Sequence, residues 1–253
     1  MAPDRPLVSI VTPAWKAARY IGETIASVRA QTLGDWEHLV IDDCSPDDTA
    51  GVVARLAAQD PRLKLLRTPA NGGPARARNV GLGAARGRYL CFLDADDRWR
   101  PEKLAAQIQA LAQADAAVCY TGYRRMSFDL GKASRVIRVP RRLTYGRLLR
   151  NTAIVTSSAM IDTDKTGPLR MTEAARDDYL LWLGLLKAGH KAVGLNRDLV
   201  QYRRVPGSVS SKQLHASGIV WQIYRQHEKL SLPFALWCFL NYAARAVWKR
   251  LPV

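Results

Sequence analysis

Asp94-Ala95-Asp96-Asp97 packs three carboxylates directly behind the apolar run Tyr89-Leu90-Cys91-Phe92-Leu93. A short apolar run of this kind reads as a buried strand, so the strand delivers its carboxylates to its own C-terminal end. Carboxylates this close raise one another's pKa. They persist only where a cation or polar ligand offsets the repulsion. Their oxygens suit hard divalent ions such as Mg²⁺ and Mn²⁺, which keep few protein ligands and complete their shell with substrate phosphates. In open α/β sheets, ligands bind just beyond the carboxyl ends of strands. The cluster therefore reads as a metal–diphosphate site. The competing reading is an acidic loop that opens a helix, with Pro101 in the first turn.

The elements that must position this cluster follow from periodicity. Leu7 to Thr12 reads as a buried strand that Pro13 ends. Ile21, Ile25 and Val28 mark a helix at i, i+4, i+7. Trp36 to Ile41 is a second strand, ending in Asp42-Asp43, and Asp47 or Asp48 caps the helix that follows. Leu63 to Leu66 is a short third strand. The loop Asn71-Gly72-Gly73-Pro74 leads into an Ala-rich helix reaching about Arg86. Tyr89 to Leu93 is the fourth strand, Leu104, Ile108 and Leu111 mark a helix, and Ala116 to Tyr120 is a fifth strand. Strands alternating with helices predict βαβ units and a mostly parallel sheet. Gly81-Leu82-Gly83 lies inside a helical pattern and not after a strand, which argues against a dinucleotide dehydrogenase. After residue 120 the pattern loosens: Ile154 to Ile161 reads as a strand, and Tyr179, Trp182, Leu183 and Leu186 mark a helix stopping near Gly189.

The 253 residues, 48% of them apolar, suffice for one sizeable α/β domain with an appended region. Met1 to Pro6 is short and polar, so no leader is expected there. Cys44, Cys91, Cys119 and Cys238 form no metal-spaced pair and read as buried, reduced thiols of a cytosolic protein. The net charge of +16 is unevenly spread. Arg124, Arg125, Lys132, Arg135, Arg138, Arg141, Arg142, Arg147 and Arg150 face only Asp129 within residues 120–150. The stretch 201–253 is also strongly basic. Such segments attract anionic partners: membrane lipids, pyrophosphates or nucleic acid.

Leu230 to Leu240 is apolar but too short to span a bilayer. Beyond it, Asn241, Arg245 and Lys249 line one helical stripe beside Phe234, Trp237, Leu240, Val247, Trp248 and Leu251. A basic stripe beside Trp and Phe is the pattern of an interfacial helix at an anionic membrane surface. The other reading is a C-terminal helix packed on the core.

Five stretches occur in order: Val8-Ser9-Ile10-Val11-Thr12-Pro13, Val40-Ile41-Asp42-Asp43-Cys44-Ser45, Ala77-Arg78-Asn79, Leu93-Asp94-Ala95-Asp96-Asp97 and Asp177-Asp178-Tyr179-Leu180-Leu181-Trp182-Leu183. Together, over roughly residues 7–210, the set resembles an inverting family 2 glycosyltransferase of the GT-A fold. The resemblance implies an α/β fold with a nucleotide-sugar-binding half (1–120) and an acceptor-binding and catalytic-base half (121–210); the amphipathic helical tail (211–253) lies outside it. It implies that Asp43 accepts a hydrogen bond from the uracil ring in a pocket lined by Pro13, Ala14 and Trp15, with Trp15 free to stack on the base. Arg78, with Arg76 as a second candidate, matches a nucleotide-side residue. Asp96 and Asp97 match the pair that touches ribose and the divalent ion, Mn²⁺ or Mg²⁺. Asp178 matches the catalytic base. Asp177 stands where the family usually has Glu, and adjacent helix residues point about 100° apart, so only one of the two faces the acceptor well. The segment Tyr202 to Ser210 resembles one that closes over the diphosphate. Many relatives carry His where Val205 stands, whereas Arg203 and Arg204 are suited to phosphate oxygens.

The activity this implies is transfer of a sugar from a nucleotide diphosphate, UDP first among the carriers, to an acceptor hydroxyl with inversion. The basic acceptor half and interfacial tail would suit a lipid-linked or surface-glycan precursor, and a cytoplasmic protein held peripherally at the inner face of the cell membrane. The runner-up is a noncatalytic anion- or nucleic-acid-binding protein using the Arg-rich segments. Acidic clusters at strand ends, and the lack of aromatic–basic interleaving over 120–150, argue against nucleic acid. Oligomeric state has no sequence signal.

Overall fold

The computed structural model describes residues 5–173, 176–205 and 213–248, with the backbone alone for 213–216 and 245–248. One nine-stranded sheet organises them, in the order β3-β2-β1-β4-β8-β6-β9-β5, with β7 on β9. Its first four strands are β1 (Val8–Ala14), β2 (Trp36–Asp42), β3 (Leu63–Arg67) and β4 (Tyr89–Phe92). All their mutual pairings are parallel. The chain winds outward from β1 to β3 and then crosses to β4 on the other side of β1, creating a switch point between β1 and β4. That is where an open α/β sheet offers its crevice.

Alternation divides the core. Val8, Ile10, Tyr89 and Cys91 face one apolar cluster with Leu104 and Leu111. Val11, Leu90 and Phe92 face the other, with Trp182 and Leu183. Helices cover both faces, which is why β1 and β2 read as near-continuous apolar runs. On one side lie α1 (Ile21–Arg29) and α4 (Lys103–Ala114), and on the other α3 (Gly73–Ala84) and α7 (Asp177–Lys187). At Gly81 of α3, a Cβ would lie 2.5 Å from Val11 and 2.8 Å from Ile41. The bare glycine lets α3 press onto the sheet.

Three boundaries differ from the sequence reading. β1 continues through Pro13 to Ala14. Its pairing with β4 stops at Val11↔Phe92, so no ladder position on that side needs the N–H that proline lacks. The strand at 116–120 extends as β6 (Val118–Met126) because β9 (Ala192–Arg203) runs parallel beside it. The expected strand 154–161 is instead a 3-10 turn (Thr156–Ser158) followed by β8 (Ala159–Asp162). β8 is antiparallel to both β4 and β6. The sheet is thus parallel through β4 and mixed beyond it, and the turn before β8 lies at the carboxyl end of β4.

The remaining elements are β5 (Arg98–Trp99), α2 (Thr49–Ala57), β7 (Arg142–Leu143), α5 (Tyr145–Leu149) and α6 (Thr163–Thr166). The chain ends in α8 (Gln213–Gln222), a π turn (Ile223–His227) and α9 (Leu232–Trp248). Val220, Ile223, Tyr224, Ala235, Cys238 and Tyr242 are buried in the α7-side cluster. Much of the region after 211 is therefore built into the core, while the outer face of α9 stays bare. The side chains of Arg245, Val247, Trp248, Lys249, Arg250 and Leu251, and so most of the expected basic stripe, lie outside the described residues. No helix among the described residues is long and apolar enough to cross a membrane. Cys91, Cys119 and Cys238 are buried thiols as expected, but Cys44 is exposed, because it follows the end of β2 and lies in the loop beyond it.

Candidate active site

The acidic stretch is fastened from two sides. From α1, the Thr24 hydroxyl is shared between the carbonyls of Ala95 (2.7 Å) and Asp97 (2.9 Å). From the 3-10 turn, Ser157 Oγ accepts from the Asp94 N–H at 3.0 Å and donates to Asp97 Oδ2 at 2.5 Å. Asp97 Oδ1 accepts the Arg203 N–H at 3.0 Å. Asp97 is fully buried, and burial, then the charges of Asp96 and Asp94, push its pKa well above the ordinary carboxylate range. Asp96 is half-buried; burial first, and Asp94 next, raise it to about 6, with Arg203 pulling the other way. The expected metal pair is therefore not equivalent. The Asp97 carboxylate is occupied by internal donors, which leaves Asp96 as the member able to meet an ion.

Arg78 sits where a helix-surface arginine would be solvated, yet it is buried. Its Nη2 donates to Asp94 Oδ1 at 2.7 Å and its Nη1 to Asp177 Oδ2 at 2.8 Å. Burial works against its charge, but Asp94, Asp177 and Asp178 more than offset this and hold it firmly protonated. One guanidinium thus joins the end of β4 to the start of α7, and its Nε is left without a partner. Asp177 is buried, and burial keeps its pKa raised despite Arg78. Asp178 is half-exposed: Oδ2 accepts from Thr156 Oγ1 at 2.7 Å and Oδ1 from the Tyr179 N–H at 2.8 Å. The two adjacent acids diverge as the helical angle requires, Asp177 inward to Arg78 and Asp178 toward solvent.

Around the β1–β2 end, Pro13 is half-buried, Ala14 buried and Trp15 half exposed, with Lys16 Nζ 4.3 Å from its ring centroid. Trp15 is thus not a core residue. Asp43 is buried, and its carboxylate accepts from Thr68 Oγ1 (2.8 Å), the Gly72 N–H (3.1 Å to each oxygen) and the Gly73 N–H (2.8 Å). It holds the loop into α3, so a base contact would have to share an oxygen already bonded to that loop. Arg76 is exposed on α3.

Arg203 differs from the expectation of a free phosphate ligand. It is buried, donating to Glu23 Oε2 (2.5 Å), the Asp96 carbonyl (3.0 Å) and the Phe128 carbonyl (3.4 Å). A guanidinium bonded three ways inside the protein braces the acidic stretch. Arg204 is exposed and anchored through its N–H to the Met126 carbonyl at 3.0 Å. Val205 is half-buried, and the rest of the closing segment, Pro206 to Ser210, lies outside the described residues, as does the side chain of His215. His227 is exposed.

Ser157, Thr156, Thr24 and Glu23 escaped the sequence reading. Serines and threonines carry no periodic or charge signal, and Thr156 and Ser157 lay within a stretch read as strand. Glu23 sits in the first turn of α1, where an acid is favourable for the helix alone.

Among the described residues, no three His, Cys, Asp or Glu groups converge as a metal cluster. The donor chemistry nonetheless fits a hard divalent ion. Asp96 and Asp94 are oxygen donors, and the charge of Asp94 destabilises that of Asp96. One or two carboxylates plus phosphate oxygens is the usual complement for Mg²⁺.

Fold and site define a GT-A-type glycosyltransferase. The family model for glycosyl transferase family 2 matches residues 9–164, and the chain belongs to that family. TuaG of Bacillus subtilis (strain 168), named for teichuronic acid biosynthesis as a glycosyltransferase, is 40% identical over 98% of both chains. Escherichia coli WfgD, named UDP-Glc:alpha-D-GlcNAc-diphosphoundecaprenol beta-1,3-glucosyltransferase, is 32% identical over 97% of this chain and 96% of its own. Among solved structures, S. aureus TarS 1-349 in complex with UDP-GlcNAc matches with a TM-score of 0.71 at 18% identity, over 93% of this chain and 71% of that one. The mannosyltransferase PcManGT from Pyrobaculum calidifontis, in complex with GDP-Man and Mn²⁺, matches equally at 0.71 and 18%, over 99% and 77%.

Proposed function

We propose that this glycosyltransferase moves a sugar from a nucleotide diphosphate, UDP first among the carriers, to a hydroxyl of a lipid-linked or surface-polysaccharide precursor, with inversion. The observation that carries the reading is the Arg78 guanidinium bonded at once to Asp94 and Asp177. It ties a carboxylate cluster suited to a metal–diphosphate to the start of α7, where the next residue, the half-exposed Asp178, is suited to accept a proton. Asp178 is the general base: a hydroxyl proton passes to its oxygen as the acceptor attacks, which is worth roughly 10²–10⁴-fold. Thr156 and the Tyr179 N–H orient that carboxylate, and Asp177 keeps Arg78 in place. Asp96, with Asp94 beside it, would hold Mn²⁺ or Mg²⁺, which supplies positive charge toward the leaving diphosphate. Arg204 is the exposed cation on the same side, and Pro13, Ala14, Trp15, Asp43, Arg76 and Arg78 form the nucleotide side. Holding donor and acceptor in line supplies the rest, because orientation lowers the barrier without new chemistry. One displacement needs no enzyme nucleophile.

The names of TuaG, for teichuronic acid biosynthesis, and WfgD, for a diphosphoundecaprenol-linked acceptor, support a polysaccharide or lipid-linked precursor as acceptor, and the UDP-Glc in the name of WfgD supports a uridine carrier. A lipid-linked acceptor implies a protein that works at the cytoplasmic membrane face.

The test is transfer from UDP-glucose and UDP-GlcNAc by the purified protein with Mn²⁺. Asp178→Asn should cut turnover about 10²–10⁴-fold while leaving donor KM nearly unchanged, as expected for a group needed in the transition state. Full turnover in Asp178→Asn, with the loss appearing in Asp177→Asn, would reverse the two roles.

A further inference from the structure

Arg135, Arg138, Arg141, Arg142 and Arg147 are exposed and Arg150 is half-buried; Arg141 to Arg150 lie on or beside β7 and α5, and Arg135 and Arg138 on the segment along β6 that leads into β7. Among the described residues, none of the six has a carboxylate within salt-bridge reach, whereas Arg78, Arg88, Arg124 and Arg203 all do. Glu228, which meets α5 through the Tyr145 hydroxyl, is already paired with Lys187 at 2.9 Å. Six cations without carboxylate partners repel one another, and no ion pair offsets the cost of collecting them.

Beside this shelf lies the bare face of α9. Ala235, Cys238 and Tyr242 turn inward, while Leu232, Leu236 and Leu240, spaced four apart, turn outward with Trp237; Leu240 is 66% exposed. The two regions are continuous. The Arg150 guanidinium lies over the Trp237 ring at 4.6 Å. An open cleft of about 310 Å³, lined by Pro140, Leu143, Arg147, Arg150 and Asn151, adjoins that contact. The shelf also touches the catalytic helix, since Tyr179 Oη donates to the Leu148 carbonyl at 3.1 Å.

We infer that the arginine shelf and the outer face of α9 form one docking surface for an anionic lipid bilayer, with lipid phosphates at the shelf and in the cleft and the leucines and Trp237 among the acyl-chain roots. The charge pattern selects this occupant. A second copy of the chain across a twofold contact would set six cations against six. A nucleic acid would match the arginines but leave the leucine stripe in water. An anionic bilayer offers phosphates and hydrocarbon side by side, which is what an amphipathic basic face binds. The surface would bring a membrane-borne acceptor to the side of the protein where α7 begins. Only that purpose rests on the proposed function; the docking itself does not.

Co-sedimentation of the full chain with phosphatidylglycerol/phosphatidylcholine vesicles and with pure phosphatidylcholine vesicles, at low and high salt, tests this. The intact protein should bind the anionic vesicles and bind less as salt rises. The variant Arg138→Gln/Arg142→Gln/Arg147→Gln should lose on the order of a hundredfold in vesicle affinity, three basic residues' worth of surface attraction. Leu236→Ser/Leu240→Ser should keep low-salt binding and lose the salt-resistant part. Donor hydrolysis by both variants checks that they are folded, and a protein that binds vesicles but transfers no sugar would fault the proposed function alone. Four results would overturn the inference: no binding by the intact chain, equal binding by the triple variant, a dimer that Leu240→Ser dissociates, or binding of single-stranded oligonucleotide in preference to anionic vesicles.

Discussion

Arginine does opposite work at the two ends of this molecule. At the carboxyl end of the sheet, Arg78 and Arg203 are buried, and each joins elements far apart in sequence: β4 to α7, and β9 to α1. On the shelf of β7, α5 and the segment before them, five exposed arginines and the half-buried Arg150 have no carboxylate partner among the described residues. A guanidinium is planar and can satisfy acceptors on several sides, so it suits a buried bracket. Left unpaired on a surface, the same group contributes little to the fold and is free to meet a partner. A buried pair is costly to break because the surviving charge stays desolvated; an exposed, unpaired charge leaves nothing stranded. The net charge of +16 therefore says less than where each positive charge has its partner.

The sharpest way to break this contrast is to remove the bracket. Arg78→Ala leaves Asp94 and Asp177 unpaired, with Asp177 buried, and should cost about 3–5 kcal/mol in urea unfolding as well as most of the activity. Arg78→Met with Asp177→Asn should recover much of the stability but not the turnover, since it removes the stranded charge without restoring the orientation. A loss below about 1 kcal/mol for Arg78→Ala would mean that the bracket does not hold the two halves together.

The sequence made the strand ends of the site and the basic segment legible and hid much of what braces the site. Apolar runs ending in Asp43 and in Asp94 to Asp97 located the strand ends, because a buried parallel strand and its terminal acids are both local signals. The divergence of Asp177 and Asp178 was also foreseeable, from helical geometry alone, though not which would turn inward. What was not legible was pairing at long range. Arg203 read as a phosphate ligand, since its meeting with Glu23 depends on the end of β9 pairing with β5 beside α1. Ser157 was unreadable for the same reason: its use follows from β8 running antiparallel, which no periodicity in 154–161 announced. Arg78 read as a nucleotide-side residue, and its burial depends on Asp94 and Asp177 meeting it from the end of β4 and the start of α7.

A smaller effect sharpens the comparison from the buried side. His38 is fully buried against Thr12 Oγ1 at 2.8 Å. Burial, with Arg29 adding to it, lowers its pKa from 6.5 to about 3. The folded state therefore refuses a proton that the unfolded chain accepts below pH 6.5. Stability from this group is fully present above that pH and is lost as pH falls, by ~1.4 kcal/mol per unit. Asp96, Asp97 and Asp177, whose pKa values are raised, act in the opposite sense over part of the same window, so the measurement must be a difference. Between pH of about 7.5 and about 5, His38→Gln should lose roughly 2 kcal/mol less than the unaltered protein in urea unfolding. Identical pH slopes for the two proteins would remove His38 from the account.

The smallest expected effect is the one that most directly opposes the two regions. Arg138→Gln/Arg142→Gln/Arg147→Gln removes three charges, where Arg78→Ala removes one. If exposure and lack of partners mean what they do physically, the triple variant should change unfolding free energy by no more than about 0.5 kcal/mol per site. The sign should favour the variant at low salt, because like charges on one shelf repel. Raising the salt should erase even that gain, since the Debye length falls from ~10 Å at 0.1 M to ~3 Å at 1 M. Urea midpoints of both proteins at the two salt concentrations decide it. A triple variant weakened by more than about 2 kcal/mol would show that the shelf arginines hold the fold after all, and the division between bracing and partner-facing arginines would fail where it is most easily measured.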